Sequence, residues 1–222
     1  MLLLAKQVYG AAVEASDGKI GKLCDFVFDD QHWKIRELVL DAGTWLNRRR
    51  VTLPPDMICH RDWADHRLVV TGLTRQQVIE SPGSETHVPL GGQAALEAAT
   101  IVDWELFWLN TLDHPWQVSS DPHLRNTQEI TGYHIQGTDR GVGHVADFII
   151  DDESWTIHNL IVDTRNWWPG KHVRLVPSWV EGIDGKSRTL HVRLSRDTIE
   201  HSRLYEGTAS LELQHVGPPH SP

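Results

Sequence analysis

The sequence predicts a mainly β protein: two small antiparallel β-barrels related by internal duplication, with short helices and a partly helical connector. The first observation behind this is self-similarity. Shifting the 222-residue chain by 122 positions aligns Asp17–Ile58 with Asp139–Val180 without a gap, and 14 of those 42 positions are identical, far above chance. The second is periodicity. Ile20, Leu23, Phe26 and Phe28, then Ile35, Leu38 and Leu40, then Val51 and Leu53, then Leu68 and Val70 form four short apolar runs, several alternating as half-buried strands do. The third is turn chemistry. Asp17-Gly18, Asp29-Asp30-Gln31-His32, Asp41-Ala42-Gly43 and Pro54-Pro55 separate the runs too tightly for crossover connections, which favours hairpins. Strands this short protect their edges best by curling into a compact barrel.

Taken in order, the first unit covers residues 1–82. Its repeat match extends upstream through Val8/Ile130, Gly10/Gly132 and Val13/Ile135. Downstream it resumes after a one-residue slip, Leu73-Thr74-Arg75 against Leu194-Ser195-Arg196. A helix closes the unit: Thr74 followed by Gln77 is a capping-box pattern, and Ser81-Pro82 stops the chain. A connector follows over 83–125, with a helical segment at Gln93 to Ala99 and then Trp104, Phe107, Trp108 and Leu112 spaced along one helix face. The second unit covers 126–207, with Ser195 capping a shorter helix over Arg196 to His201. Residues 208–222 read as a flexible tail by composition.

The duplication serves as an internal control. Positions kept identical in both copies are explained most economically by the fold both must adopt. The pairs Asp29-Asp30 and Asp151-Asp152 could hold a cation or share a proton, but in both copies they sit where a hairpin turn needs acceptors for its backbone N–H groups. Gly21 and Gly143 read as bends or close backbone approaches in a curved strand. Asp25 and Asp147 lie within a strand before a phenylalanine; they could be buried acids with raised pKa, but alternation favours the solvent face opposite Phe26 and Phe148.

Composition and motif searches point away from catalysis. Two cysteines, Cys24 and Cys59, can form neither a disulfide framework nor a CxxC pair, and both read as ordinary small residues. Fourteen histidines contain no HxH, HxxH or HExxH spacing, so no metal site is expected. GxSxG and GxxxxGK[ST] are absent, and no cofactor is expected. The run Met1 to Lys6 is too short for a signal peptide, and no stretch approaches the roughly 20 apolar residues of a spanning helix. A cytoplasmic setting is therefore expected. A net charge of −9 disfavours nucleic acid as a partner.

At this point the residues carry a family resemblance. The string from Gly18 to Asp30, GKIGKLCDFVFDD, then Leu38-Val-Leu-Asp41 and Arg50-Val-Thr-Leu-Pro54, resembles the PRC-barrel family, which includes the cytoplasmic part of the photosynthetic reaction-centre H subunit and the ribosome maturation factor RimM. The second copy, with Gly143-His-Val-Ala-Asp-Phe-Ile-Ile-Asp-Asp152 and Ile161 to Lys171, resembles it more closely. The resemblance implies SH3-like barrels and no catalytic residues. The sequence departs from both named relatives, having neither the H subunit's N-terminal membrane helix nor RimM's other domain.

The resulting expectation is a non-enzymatic adaptor with an unidentified protein partner. The alternatives are a peripheral accessory of a membrane photosynthetic or electron-transfer complex at the inner face of the membrane, and, more weakly, a ribosome or RNA maturation factor. The candidate interaction surface comprises Trp45, Arg48, Arg49 and Arg50 in one copy, Trp167, Trp168 and Lys171 at the matching place in the other, and Trp104, Phe107 and Trp108 in the connector. Paired aromatic and basic groups suit an acidic peptide, an RNA loop or a lipid headgroup, while the same tryptophans could cap a barrel end. The connector aromatics either pack the two units together, the favoured expectation, or anchor a partner or homodimer.

Overall fold

The computed structural model describes residues 1–43, 50–80, 123–164 and 172–200. The chain opens with β1 (Leu2–Leu4) running into α1 (Ala5–Val8), then β2 (Ala12–Ala15), the long β3 (Gly18–Asp29), β4 (Lys34–Asp41) and β5 (Arg50–Leu53). A 3-10 turn at Pro55–Met57 leads to β6 (Ile58–Asp62), β7 (Arg67–Val70) and α2 (Arg75–Glu80). The second copy repeats this order: β8 (Leu124–Asn126), α3 (Thr127–Ile130), β9 (His134–Gln136), β10 (Gly141–Asp151), β11 (Thr156–Asp163) and β12 (His172–Leu175). A second 3-10 turn at Pro177–Trp179 precedes β13 (Val180–Asp184), β14 (Thr189–Val192) and α4 (Arg196–Glu200). The expected 125/126 boundary falls inside β8. The helical stretch at 93–99, most of the connector and the tail lie outside the described residues.

The mainly β, duplicated architecture agrees with the sequence. The joining of the copies does not. Among the described residues the strands form one open mixed sheet in the order β13-β14-β9-β10-β11-β4-β3-β2-β7-β6, with β12 on β11, β5 on β4, β1 on β10 and β8 on β3. Two separately closed barrels are not what this ladder forms. The reason is a reciprocal exchange. The first strand of each copy leaves its own unit and pairs with the long strand of the other: Leu2, Leu3 and Leu4 face Asp151, Ile150 and Ile149, while Leu124, Arg125 and Asn126 face Asp29, Phe28 and Val27. These registers are identical after the 122-residue shift.

The middle of the sheet has the same symmetry. Lys34 pairs with its own equivalent, Thr156, flanked by Ile35 N–H donating to Trp155 O and Ile157 N–H donating to Trp33 O, both at 2.7 Å. A pseudo-two-fold axis therefore passes between β4 and β11. The turns that deliver these carbonyls are tight enough to hold Trp33 at φ 55° and Trp155 at φ 53°, a region that side chains other than glycine rarely enter.

Burial follows from the exchange. Leu3, Ala5 and Val8 belong to the same hydrophobic cluster as Phe26, Phe28, Phe148 and Trp155, so one core serves both copies. Across the axis Phe28 meets Phe148 at 5.9 Å and Phe26 meets Trp155 at 6.4 Å between ring centroids, both tilted, a favourable arrangement for aromatic pairs. Gly21 and Gly143 are the close approaches expected of them: a Cβ would lie 2.5 Å from Asp41 O at the first and 2.1 Å from Asp163 O at the second. The terminal helices also start as expected. Thr74 and Gln77 form a capping box, with Gln77 N–H donating to Thr74 Oγ1 at 3.2 Å and Thr74 N–H to Gln77 Oε1 at 2.8 Å. Ser195 Oγ accepts from Thr198 N–H at 3.1 Å in the second copy.

Candidate functional site

The surroundings of the duplicated acids decide whether they are available for chemistry. Asp17 and Asp139 accept the backbone N–H groups of Arg75 and Arg196, at 2.5 and 2.8 Å, at the starts of α2 and α4. Asp29 accepts from the N–H groups of Gln31 and His32, and Asp151 from that of Glu153, the hairpin role anticipated for them. Burial alone would raise the Asp29 carboxyl, but hydrogen bonds from Arg36 Nη2 at 2.7 Å and from His32 hold it well below the usual carboxylate range. Asp30 and Asp152 reach across the copies. Asp30 is held by Arg125 Nε at 3.0 Å, with His123 Nδ1 at 2.9 Å. Asp152 accepts from Trp63 Nε1 and from the Met1 amine, each at 2.5 Å.

Asp25 and Asp147 require a correction. Alternation put them on the solvent face, but they are only 4% and 8% exposed. A bulge shifts the register between Leu23 and Asp25, and an equivalent one lies between Val145 and Asp147, so each carboxyl turns inward. There it meets the exchanged segment of the other copy. Asp25 Oδ1 accepts from Thr127 Oγ1 at 2.6 Å, Phe26 N–H at 2.8 Å and Gln128 N–H at 3.0 Å, and Oδ2 accepts from Asn126 Nδ2 at 3.1 Å. Asp147 Oδ1 accepts from Phe148 N–H at 2.8 Å and Lys6 N–H at 3.2 Å. Each acid thus satisfies the first turn of the other copy's short helix. Burial nevertheless pushes both carboxyls above the ordinary range. Tyr9, whose hydroxyl lies 2.8 Å from Thr127 Oγ1, is pushed up by the same burial.

With the acids occupied in this way, the surface that differs between copies is the more informative place. Of the candidate interaction residues, Arg50 is described: it opens β5 on the exposed side of the sheet, opposite Asp41. Trp45, Arg48, Arg49, Trp104, Phe107, Trp108, Trp167, Trp168 and Lys171 lie outside the described residues. Following the register from Arg50 reveals a row the sequence reading missed. In the first copy Ala12, Lys22, Asp41 and Arg50 are successive cross-strand neighbours on β2, β3, β4 and β5. In the second copy the equivalent row is His134, His144, Asp163 and His172 on β9 to β12. Directly opposed residues share a face of the sheet. Lys22, Asp41, Arg50 and His134 are exposed, whereas the flanking Leu23, Leu40 and Val51 are buried. The His134 and His144 rings lie 4.3 Å apart.

The row sits where β3 and β4 approach over Gly21, and β10 and β11 over Gly143. It combines a fixed central carboxylate with cationic groups in one copy and imidazoles in the other, chemistry suited to multipoint ionic recognition. Cys24 nearby is not an activated thiol: burial pushes it up to about 11 despite the opposing effect of Arg50. Among the described residues, no group of three or more His, Cys, Asp or Glu side chains is placed to hold a metal ion, and no helix is long and apolar enough to cross a membrane. Compared with known proteins, the chain matches no family model and no curated protein.

Proposed function

We propose that this chain is a non-enzymatic adaptor of the PRC-barrel type, in which two SH3-like units carry matching cross-strand rows, and the lysine-arginine row of the first meets an acidic protein partner in the cytoplasm. The observation that carries the reading is the row itself, exposed at Lys22, Asp41, Arg50 and His134 and half-buried at His144, Asp163 and His172, repeated at one register in both copies and continuous in sequence with the aromatic-basic segments 44–49 and 165–171. The duplicated carboxylates support a scaffold role from the other side, because they are spent on backbone N–H groups and cross-copy contacts. The PRC-type assignment rests on the sequence motifs Gly18 to Asp30 and Gly143 to Asp152.

The test is capture of partners by the full chain and by a Lys22→Glu/Arg50→Glu variant, with bound proteins identified by mass spectrometry. Two charge reversals at exposed positions, each worth on the order of 1 kcal/mol, are expected to weaken capture of a specific acidic partner by about tenfold or more. Equal capture by both proteins would overturn the reading. Salt-sensitive cosedimentation with anionic vesicles, lost in the same variant, would instead favour the peripheral membrane role.

A further inference from the structure

The interface between the two copies has the properties of a homodimer interface. In a two-fold dimer the same surface patch occurs on both partners, so residue i of one meets residue j of the other and the reverse. Here the main-chain correspondence holds after the 122-residue shift, while the side chains that accompany it differ between the copies. Leu2, Leu3 and Leu4 face Asp151, Ile150 and Ile149 as Leu124, Arg125 and Asn126 face Asp29, Phe28 and Val27. Lys6 N–H donates to Asp147 as Gln128 N–H donates to Asp25. Ile35 and Ile157 exchange main-chain hydrogen bonds with Trp155 and Trp33 at equal length.

The recognition is carried by main chain and by buried small or branched side chains, Ala5 and Val8 in one donor, Thr127 and Ile130 in the other. None of it requires that donor and acceptor belong to one polypeptide. Residues 81 to 123 separate the end of α2 from β8, so the two units are joined by a chain segment and not by a tight turn.

We propose that each long strand, β3 and β10, together with its inward carboxylate, is an acceptor groove for the strand-helix segment of a second copy of this chain. Two molecules then exchange units: the first unit of each pairs with the second unit of the other, and every contact described above is retained in a closed dimer. Exchange between molecules competes with closure within one, and linkage gives the internal partner an effective concentration on the order of millimolar. The exchanged dimer is therefore a species of high local concentration, such as a crowded assembly, and the single molecule prevails when dilute.

The Lys34–Thr156 pair supplies the assay. The hydrogen bonds flanking it make it a non-hydrogen-bonded antiparallel pair, whose Cα separation of about 4.5 Å suits a disulfide. In a Cys24→Ala/Cys59→Ser background, chains carrying Lys34→Cys and chains carrying Thr156→Cys are mixed in denaturant, refolded together and oxidised. A Lys34→Cys/Thr156→Cys chain serves as the geometric control and Lys34→Cys alone as the collision baseline. The expected result is a cross-linked dimer that rises more than tenfold between about 5 µM and about 500 µM protein, above the baseline, while the doubly substituted chain closes internally when dilute. No cross-link above baseline in the mixture at high concentration, with the control closing normally, overturns the proposal. Failure of the control to close overturns it as well, because the pairing on which it rests would then be wrong.

Discussion

Replacing Asp25 with alanine removes the acceptor of four donors at once, and replacing Asp147 removes the acceptor of two. The comparison measures how firmly each exchanged segment is held. At Asp25 the groups that lose this acceptor are Phe26 N–H, Thr127 Oγ1, Gln128 N–H and Asn126 Nδ2. Thr127 and Phe26 have fallbacks, since the Thr127 hydroxyl lies 2.8 Å from Tyr9 Oη and 3.4 Å from Phe26 O, and Phe26 N–H also reaches Thr127 Oγ1 at 3.3 Å. At about 1 kcal/mol for each donor left without a good partner, and allowing those weaker fallbacks, Asp25→Ala should cost about 2–3 kcal/mol. For Asp147→Ala only Phe148 N–H and Lys6 N–H are orphaned, giving about 2 kcal/mol on the same basis. The raised carboxyl at each site works against these costs, because deleting an ionised buried acid also relieves its desolvation. The order of the two variants is therefore the firmer quantity. Urea unfolding followed by tryptophan fluorescence reads both, with midpoints compared at equal slope. A loss below about 0.5 kcal/mol for Asp25→Ala, within the range of ordinary surface substitutions, or a larger loss at Asp147, would refute the cross-copy capping argument.

Two further outcomes follow from the same geometry. Gly143→Ala should destabilise by about 1–3 kcal/mol and more than Gly21→Ala, because its Cβ would lie 2.1 Å from a backbone oxygen where the other would lie at 2.5 Å; equal and negligible losses in denaturant unfolding would contradict the close strand approach. Asp25 also makes a signed pH prediction. Its folded carboxyl takes up a proton at higher pH than the ordinary 3.8, so its linkage contribution to stability is fully present below that value and declines as pH rises through the folded pKa. The stability of the native chain relative to Asp25→Asn should therefore improve as pH falls from 7 toward 4, and a difference that is flat or worsens would contradict a raised value.

Much of the fold was legible because its signals are local. The repeat, the hairpin acids Asp29 and Asp151, the capping box at Thr74 and the close approaches at Gly21 and Gly143 each depend on residues near one another in sequence. What was not legible depends on pairing across distance. Leu2-Leu3-Leu4 is a short apolar run whose partner strand ends at Asp151, and nothing in its periodicity says which copy it joins. Asp25 was misplaced for a different reason. Strict alternation assumes that one face of the strand meets water, whereas Asp25, Phe26, Val27, Phe28 and Asp29 are all buried, with Thr127 and Gln128 of the other copy covering the Asp25 side and a bulge shifting the register beside it. The charged row was hidden for the first reason again: Lys22, Asp41 and Arg50 are adjacent only across strands, although the 122-residue shift had already aligned them with His144, Asp163 and His172.

The distribution of identities between the copies now has a physical basis. A residue near the pseudo-two-fold axis faces the other copy's version of its own surroundings, and the buried and turn-forming groups there are largely kept although the pair on the axis, Lys34/Thr156, has diverged. Asp25, Phe26, Asp29, Asp30, Trp33 and Ile35 are all kept, and each lies in the exchanged interface or in the turns that build it. Away from the axis, core positions such as Val51/Val173 and Leu53/Leu175 are kept as well, whereas the surface row has diverged. Along the charged row Ala12 has become His134, Lys22 His144 and Arg50 His172, and only Asp41/Asp163 is kept, where the glycine of the neighbouring strand packs against its backbone oxygen. Identity between the copies thus marks the shared fold, its core and turns as much as its axis, and divergence along the row marks the place where its two halves are free to recognise different things. A search for this chain's partner should begin at Lys22, Arg50, His144 and His172, not at the duplicated aspartates that first draw attention.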